Sequence, residues 1–336
     1  MSKIRKKVLL IGPMPPPPGG VSTHLMRLLQ HAESISDLNL SVLDLRKRQW
    51  FGTNTNSKNW LRIISEFLSA DIVHIHTSKP IKVRLGRIVK IFGKKLVYTQ
   101  HNLREIDDAA TQEMFSIAHH IFLVQEPLHI NEKYRAKMSI LPAYLPAIKK
   151  TEVPEWFQNE FQKFPNVMLS LAYHESGKST EFNGKDLYGF DQIMEAVEGI
   201  SSLRKLDAWM LILIDPNGTL EQHYSERSKQ VESQTGVKIV YVSSAVDVVS
   251  LLPFCKIFIR ATWSDGDALS IREALSTGIP AIASDCVPRP QGVILYKTGN
   301  VKDLEEKLLA VIQYPYRITF QQPDFSHALF AVYCNL

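Results

Sequence analysis

The stretch IFIRATWSDGDALSIREALSTGIPAIAS, residues 257–284, contains the pattern that decides the fold. It begins with an apolar, β-branched run, Ile257–Arg260, and ends with a second one, Ala281–Ser284. Between them the pattern predicts a helix over Leu269–Ser276, which ends before Gly278-Ile-Pro280 because glycine and proline rarely continue a helix. Short apolar runs without polar alternation are typical of strands buried on both faces. The stretch therefore predicts a strand–helix–strand unit of a parallel sheet.

The same alternation continues along most of the chain, and the pattern starts again near residue 166. Further strands are predicted over Val8–Ile11, Leu40–Leu43, Ile72–Ile75, Leu96–Thr99, Ile121–Val124, Val167–Leu171, Trp209–Ile214 and Lys238–Val242. Further helices are predicted over Val21–His31, Gly189–Ile200 and Val301–Ile312. Alternating strands and helices indicate parallel sheets covered by helices. We predict an α/β protein of two doubly wound domains, with ligands in a central cleft beyond the carboxyl ends of the strands.

Domain boundaries follow from composition and length. With 336 residues the chain suits two domains. We predict an N-terminal domain over residues 1–146, a proline-rich linker over 147–165 with a short helix at Glu155–Phe164, and a C-terminal domain over 166–318. In the last segment, 319–336, Pro323-Asp-Phe-Ser326 predicts a cap before a final helix, Ser326–Asn335.

Charge is distributed unevenly between the two halves. The chain is 45% hydrophobic and 22% charged, which is globular composition and excludes disorder as its main state. Residues 1–150 hold 23 Lys and Arg against 11 Asp and Glu, whereas residues 151–336 hold 16 against 23. This asymmetry suggests that the first half meets an anionic surface or substrate.

Cysteine usage and hydropathy indicate the compartment. The three cysteines, Cys255, Cys286 and Cys334, form neither a disulfide framework nor a zinc-binding spacing. No apolar run approaches the ~20 residues that span a bilayer. Val8–Ile11 follows a basic start but is too short for the core of a signal peptide. We expect a cytoplasmic protein without a spanning helix.

The loop after the first strand contains Gly19-Gly20 directly before the helix that begins near Val21. Glycines at a helix N-terminus let the backbone approach a ligand, and the free N–H groups favour an anion such as a diphosphate. A proline-rich connector with a glycine turn explains the same residues. The loop by itself leaves both interpretations open.

The second half places two carboxylates around a predicted helix N-terminus. Asp265 precedes the helix and could accept hydrogen bonds from sugar hydroxyls, and Glu273 lies inside the helix and could accept them from ribose. Backbone N–H groups of Ala268–Ser270 would bind phosphate. Asp265-Gly-Asp267 also fits a metal-binding Asp-x-Asp, and Asp265 could simply cap the helix. The paired Glu273 favours the metal-free interpretation.

Five motifs in this order resemble glycosyltransferase family 4, whose members are retaining enzymes of the GT-B fold. They are the first strand, glycine loop and helix (Val8–Arg27), Asp71-Ile-Val-His-Ile-His76, Leu96-Val-Tyr-Thr-Gln-His101, the Glu-x7-Glu-like pair Asp265 and Glu273, and Gly278-Ile-Pro-Ala-Ile-Ala-Ser284. The resemblance implies two Rossmann-like domains and a C-terminal helix that crosses back to the first.

The resemblance also implies roles for individual residues. The catalytic candidates are Asp265 and His101, which would face the donor sugar, and Lys185, which would lie near the diphosphate. The candidates for binding the donor nucleotide and its diphosphate are Gly19, Gly20, Gly266, Ala268, Leu269, Ser270 and Glu273. No metal or cofactor is implied. His74 and His76 are interpreted as structural, and His119 and His120 are given no role.

This chain departs from the family pattern at two points. The first acidic residue is Asp265 instead of Glu, so its side chain reaches less far. The arginine that usually follows the first strand of the second domain is missing from Leu171–Asp191. Lys185 is the first candidate for the accompanying lysine, with Lys178 second.

The function implied is transfer, with retention, of a sugar from a nucleotide donor, by default UDP. The acceptor would be a saccharide, by family habit a lipid-linked one for capsule, exopolysaccharide or O-antigen. One alternative is a nucleotide-sugar 2-epimerase or hydrolase of the same fold. Another is a non-catalytic, nucleotide-sugar-binding subunit of a synthesis complex, which the missing arginine favours.

Basic residues in the first half indicate a membrane contact. Lys79–Lys95 interleaves basic and apolar residues, and Arg46–Phe51 adds basic charge beside aromatics. Such patterns are typical of peripheral binding to anionic lipid, and also of a packed helix with a solvated basic face. We expect weak association with the inner face of the cytoplasmic membrane. No motif for nucleic acid is present.

Overall fold

The computed structural model describes residues 5–16, 19–33, 37–52, 55–77, 80–127, 129, 131–148, 152–174, 180–319 and 323–336. Lys79, Lys178 and the prolines at 17 and 18 lie outside these ranges. The chain divides into two units. Unit 1 is Met1–Ile148 with Pro323–Leu336, and unit 2 is Lys149–Gln322.

Unit 1 alternates strands and helices from its first strand to its last. Its elements in chain order are β1 (Lys6–Ile11), α1 (Gly20–Ala32), β2 (Leu38–Asp44), β3 (Gln49–Phe51), β4 (Asn56–Ser57), α2 (Trp60–Ser69), β5 (Ile72–Ile75), α3 (Ile81–Ile91), β6 (Lys95–Gln100), α4 (Ala109–Ile117), β7 (His120–Leu123), α5 (Glu132–Arg135) and β8 (Met138–Ile140). The described strands form one sheet in the order β4-β3-β2-β1-β5-β6-β7-β8. Its strands pair in parallel except for β3 and β4, which form an antiparallel edge beside β2.

Unit 2 has a smaller sheet whose pairings are all parallel. Its elements are α6 (Glu155–Phe161), β9 (Asn166–Leu171), β10 (Glu181–Phe182), β11 (Lys185–Asp186), α7 (Phe190–Ser201), β12 (Trp209–Ile214), α8 (Glu221–Thr235), β13 (Lys238–Val242), α9 (Val248–Leu251), β14 (Cys255–Arg260), α10 (Leu269–Ser276), β15 (Ala281–Ser284), β16 (Ile294–Tyr296) and α11 (Val301–Gln313). Within the described ranges the sheet order is β13-β12-β9-β14-β15-β16, and β10 and β11 form a separate antiparallel hairpin.

Every strand and helix predicted from the sequence is present, with shifts of at most a few residues at its ends. The strands that the sequence did not predict are two or three residues long, too short to show a periodicity. Examples are β3, β4, β8 and β16. The predicted α/β architecture with parallel sheets is therefore confirmed.

The final helix, α12 (Ser326–Asn335), belongs to unit 1. Leu329, Phe330 and Tyr333 are buried in the same apolar cluster as Val8 and Leu10 of β1. Placing three large side chains in a core out of contact with water stabilises the docked helix by several kcal/mol, at roughly 1.5–3 kcal/mol for each. The helix is thereby fixed against the sheet of unit 1.

The segment predicted as a linker, 147–165, lies almost entirely in unit 2. Its helix α6 buries Phe157, which is 1% exposed, against Val167 and Phe258 of the unit 2 sheet. Phe157 explains why this segment packs on unit 2 instead of forming a free linker, because a free linker would leave its side chain in water.

The basic segments of the first half are also packed more closely than predicted. Lys82 of α3 is buried and donates a hydrogen bond to the Thr111 hydroxyl at 2.6 Å. Trp50, between Arg46 and Phe51, is 6% exposed and belongs to the core. Both positions were expected at a basic surface. Lys82 and Trp50 cannot take part in a surface contact, because each lies on the side of its helix or strand that packs into the core.

Candidate functional site

Both sheets have a point where the strand order reverses. In unit 2 the chain moves from β9 outward through β12 and β13, then returns to place β14 on the other side of β9. In unit 1 the same reversal lies between β1 and β5. Ligands of such sheets bind beyond the carboxyl ends of the strands at this switch point. We therefore expect the binding residues of each unit to lie near the switch point of its own sheet.

In unit 2 the segment after β14 leads into the N-terminus of α10. Ala268 occupies the N-cap position without a side-chain capping bond. The N–H groups of Ala268, Leu269 and Ser270 donate no hydrogen bond within the described ranges. Unpaired N–H groups and the helix dipole together favour an anion at this end. Glu273 follows one turn later and is 8% exposed. The predicted phosphate-binding residues and Glu273 thus lie on consecutive turns of one helix.

Asp265 lies in the loop before α10 and is held by two arginines. Its Oδ1 accepts from Arg260 Nη2 at 2.9 Å and its Oδ2 from Arg260 Nε at 3.0 Å. Oδ2 also accepts from Arg289 Nη1 at 2.8 Å, and Oδ1 from the Gly266 N–H at 3.0 Å. Burial would raise the pKa of Asp265, but the two guanidinium groups outweigh it and lower the pKa to about 2. Asp265 is therefore an ionised anchor for two buried cations.

This arrangement gives Asp265 and the Gly266 N–H hydrogen-bond partners within the protein, in addition to the donor contacts predicted for them. The carboxylate already accepts several charge-assisted hydrogen bonds, and the Gly266 N–H is used by Asp265 instead of pointing to solvent. Direct contact of either residue with a donor stays a prediction. The geometry itself assigns Asp265 the positioning of Arg260 and Arg289.

Arg260 lies where an arginine had been missing from the sequence pattern. Its Nη1 donates to the carbonyl of Leu171, the last residue of β9, at 2.8 Å. Its guanidinium also lies over the Tyr188 ring, 5.1 Å from the centroid. A cation therefore stands at the carboxyl end of the first strand of unit 2, although it is contributed by β14.

A second buried charge cluster stands behind this strand end. His174, three residues after β9, bonds Asp215 through Nδ1 at 2.8 Å and Asp186 through Nε2 at 2.7 Å. Burial alone would lower the pKa of His174, but the two carboxylates raise it to about 9. A protonated imidazole can donate from both ring nitrogens, which this geometry requires. The cluster fixes the β10–β11 hairpin, because Asp186 belongs to β11.

Lys185 precedes Asp186 and is exposed. Its Nζ lies 5.3 Å from the centroid of the Trp263 ring, in the loop that carries Asp265. The same loop is tied to the hairpin by the Trp263 N–H, which donates to the Leu187 carbonyl at 3.0 Å. The structure thus brings Lys185 to the loop of the acidic motif. Its alternative, Lys178, is not among the described residues.

In unit 1 the loop after β1 is anchored at one glycine and open at the others. A Cβ on Gly12 would lie 2.5 Å from Leu25 Cδ1 and 3.1 Å from His76 Cβ, so a larger residue there would have to displace the buried Leu25 side chain. A Cβ on Gly20 would meet no described atom within 4 Å, and on Gly19 only Ser22 Oγ at 3.7 Å. Neither Gly19 nor Gly20 has the positive φ that would demand glycine. Nothing described in the chain itself therefore requires glycine at these two positions, whereas close approach of a ligand would.

His101 follows β6 and belongs to a cluster of buried histidines. Its Nε2 lies 3.0 Å from Nδ1 of His76, which follows β5, and its ring centroid is 5.7 Å from that of His24 in α1. Burial lowers the pKa of His101 to about 3 and that of His24 to about 4, and holds that of His76 well below its usual range. These rings are neutral at pH 7. His101 Nδ1 has no hydrogen-bond partner among the described residues and so can contact a ligand.

His74 and His119 have structural partners. His74 Nε2 bonds the Thr99 hydroxyl at 2.7 Å and Nδ1 bonds the Tyr333 hydroxyl of α12. His119 Nδ1 accepts from the Leu96 N–H at 3.0 Å. The hydrogen bonds of His74 agree with its interpretation as a structural residue. His119 provides a hydrogen-bond acceptor for a backbone N–H near the start of β6.

Two features of the unit 2 site were not predicted from the sequence. Arg289 is 2% exposed at its side chain and lies in a proline-flanked loop after β15. His174 stands in Leu171–Asp191, a segment for which the family pattern implies only an arginine and a lysine. A polar or charged residue at the carboxyl end of a buried strand, or within three residues of it, is a signal that His174 shares with Arg260, whereas Arg289 lies five residues after β15. Among the described residues, no group of three or more His, Cys, Asp or Glu side chains is arranged to bind a metal.

Comparison with known proteins finds a family match within unit 2. Residues 185–314 match the model of the family described as glycosyl transferases group 1. A curated relative, the N,N'-diacetylbacillosaminyl-diphospho-undecaprenol alpha-1,3-N-acetylgalactosaminyltransferase of Campylobacter jejuni, is 30% identical over 79 residues. That alignment covers 22% of this chain and 21% of the relative, so about a fifth of the relative's length is matched.

Solved structures resemble the whole chain. Sucrose-phosphate synthase from Thermosynechococcus elongatus superimposes with a TM-score of 0.65 at 11% identity, over 98% of this chain and 99% of that one. Anabaena HepE in complex with UDP-glucose gives 0.59 at 14% identity, over 98% and 94%. The lipopolysaccharide outer core galactosyltransferase WaaB gives 0.60 at 15% identity, over 98% and 100%. At such identities the likeness shows the fold alone.

These comparisons define the class. The chain has the GT-B fold, with one Rossmann-like sheet in each unit, and residues 185–314 of unit 2 match the model of glycosyl transferases group 1. The matched region contains Lys185, Asp265, the N-terminus of α10 and Glu273. No helix in the described ranges is both long and apolar enough to cross a membrane.

Proposed function

We propose that this protein is a glycosyltransferase that moves a sugar from a nucleotide donor to a saccharide acceptor. The observation that carries the proposal is the match over residues 185–314, which coincides with an unpaired helix N-terminus followed by a buried glutamate. Such a helix end is suited to a diphosphate, and such a glutamate to the hydroxyls of a ribose.

The donor would be held mainly by unit 2. In this proposal Glu273 accepts hydrogen bonds from ribose, Ala268–Ser270 donate N–H groups to phosphate, and Lys185 neutralises part of the diphosphate charge. UDP is the proposed nucleotide, which is supported by the UDP and UDP-glucose complexes of the similar Anabaena protein. Asp265, Gly266, His101, Gly19 and Gly20 remain predicted donor contacts.

The chemistry proposed is retaining transfer of the family 4 type. The bond from the sugar's anomeric carbon to the diphosphate breaks as the acceptor oxygen attacks the same face, and the leaving phosphate takes the acceptor's proton. Negative charge develops on the diphosphate, so fixed N–H dipoles and Lys185 aimed at it lower the barrier, typically by ~3 kcal/mol per donor. We propose that these groups serve in place of a metal ion.

The proposed acceptor is lipid-linked, as in capsule, exopolysaccharide or O-antigen synthesis, at the cytoplasmic face of a membrane. Two observations support it. The name of the Campylobacter jejuni relative specifies a diphospho-undecaprenol acceptor for that enzyme. The first 150 residues hold 23 basic against 11 acidic residues, which suits an anionic lipid pyrophosphate.

The alternative of a non-catalytic subunit depended on the missing arginine. Arg260 places a guanidinium at the end of β9, so we favour the catalytic proposal. No observation favours the epimerase or hydrolase. An assay with the donor alone distinguishes it, because it would yield an epimer or free sugar without an acceptor.

The test is Glu273→Ala, with Glu306→Ala on the exposed side of α11 as the matched control. Removing the ribose acceptor should weaken UDP binding at least tenfold in calorimetry, the loss of one charged hydrogen bond, and should abolish sugar transfer. Glu306→Ala should bind and transfer like the wild type. Near-wild-type turnover in Glu273→Ala would exclude the site assignment.

A further inference from the structure

The helix α2 exposes an apolar face that the fold does not cover. Ile63 and Phe67 pack partly on the unit 1 core, but none of the ten residues of α2 is buried. Trp60, Leu61, Ile64 and Leu68 are 65%, 58%, 46% and 48% exposed. At about 100° per residue these four side chains lie within one arc of the helix, beside the packed pair. Single exposed apolar residues are normal, but four on one face mark an interaction site.

The end of α3 extends this face. The Phe92 ring packs edge-on against Phe67 at 5.4 Å between centroids, and Lys94 Nζ donates to the Leu68 carbonyl. Ile88, Ile91 and Phe92 are 43%, 81% and 52% exposed. We define the α2–α3 apolar surface by the following residues: Trp60, Leu61, Ile64, Leu68, Ile88, Ile91 and Phe92.

Positive charge accompanies the α2–α3 apolar surface. Residues 58–95 hold nine Lys and Arg against two acidic residues. Lys58, Arg62, Arg87 and Lys90 are exposed on or next to the same two helices. A basic, apolar helix face matches the interface of an anionic bilayer, where headgroups meet acyl chains. It fits a second copy of this chain poorly, because the like charges would be brought together.

We propose that unit 1 binds an anionic membrane surface by inserting the α2–α3 apolar surface among the lipid headgroups. Part of this surface, Ile88, Ile91 and Phe92, lies in the basic segment predicted from the sequence, but the residues of α2 do not. Lys82 and Trp50 of the predicted basic segments are buried and take no part. The proposal deepens the proposed lipid-linked acceptor and rests on it for its biological purpose. Its physical test needs no transfer activity.

The test is flotation of the full chain with vesicles of phosphatidylcholine, with or without phosphatidylglycerol. The wild type should float with the anionic vesicles, less so as salt is added. Leu61→Ser/Ile64→Ser should bind about a hundredfold more weakly, at about tenfold per exposed aliphatic side chain. Leu203→Ser in unit 2, where the leucine is 72% exposed, is the matched control and should bind like the wild type.

A second measurement locates the inserted residue. Trp60 is 65% exposed, so the part of the tryptophan fluorescence that Trp60→Phe removes should shift to the blue on the anionic vesicles and be quenched by brominated lipid. Equal flotation of the double variant and the wild type would overturn the proposal. A dimeric wild type and a monomeric double variant would also overturn the proposal, because the surface would then join two copies of the chain. If flotation holds but UDP does not bind, the proposed function alone fails.

Discussion

The switch points of the two units lie at the same place in the same kind of sheet, yet one is lined by neutral side chains and the other by charged ones. In unit 1 the point is lined by neutral histidines, with His76 and His101 bonded to each other. In unit 2 it is lined by ions, with Asp265 between Arg260 and Arg289. The comparison teaches that fold topology selects where a site lies, while the partners of each side chain decide its charge.

Histidine shows the rule most directly. His24 packs beside His76 and His101, bonds a backbone carbonyl, and has its pKa lowered to about 4 by burial. Burial also disfavours the charged form of His174, but two carboxylates raise its pKa to about 9. The same side chain is thus neutral in one unit and cationic in the other at pH 7.

The largest effect is expected from Asp265→Asn. The substitution keeps the shape of the side chain but leaves two buried guanidinium groups without their counter-charge, which costs about 3–5 kcal/mol. Urea unfolding followed by tryptophan fluorescence, to which Trp156, Trp209 and Trp263 of unit 2 contribute, would measure the loss. The control is Asp285→Asn, an exposed carboxylate paired with Thr298 and Lys297. Equal, small losses in both variants would show that unit 2 does not depend on this ion cluster.

The next effect is acid destabilisation of unit 1. The unfolded-state pKa of His24, about 6.5, exceeds its folded value of about 4, so the stabilisation is present above pH 6.5 and is lost as the pH falls. We expect a loss of about 2 kcal/mol from His24 between pH 7 and pH 5. Hydrogen exchange of β1 and β5, corrected for intrinsic rates, measures it. His24→Asn keeps a donor near the Ala143 carbonyl and should remove this part of the pH dependence, and an unchanged slope would contradict the neutral cluster.

The smallest effect is the alkaline counterpart in unit 2. His174 has a folded pKa of about 9 against 6.5 unfolded, so its stabilisation is complete below pH 6.5 and disappears as the pH rises through 9. Exchange of β9 and β11 should report a loss of about 1 kcal/mol between pH 7 and pH 8, absent in His174→Gln. Unit 1 should not respond in this range. A loss in both units would erase the distinction between them.

Local pattern was sufficient where each residue's structural role depended on its neighbours in the sequence. The spacing from Ile257 to Ser284 predicted a strand, a helix and a strand, and these elements form at nearly the same residues. Burial on both faces of a strand appears as an unbroken apolar run, and a glycine with a proline ends a helix, so both signals are local. The resemblance added the GT-B fold, which the comparisons confirm.

Local pattern was insufficient where partners came from distant strands. The family pattern places an arginine after β9, but Arg260 comes from β14, 89 residues later than Leu171, whose carbonyl it binds. The distance in sequence carries no information about adjacency until the sheet order is known. Arg289 was overlooked for the same reason.

By itself, the sequence determined the α/β architecture, the longer strands of both sheets, several of the helices and the segment that contains the proposed donor site. Only the tertiary structure decided which charges are paired, which histidines are neutral and which apolar helix face is left uncovered. The physical reason is that secondary structure follows from local periodicity and hydrogen bonding. Protonation and exposure instead depend on desolvation and on groups brought together by folding.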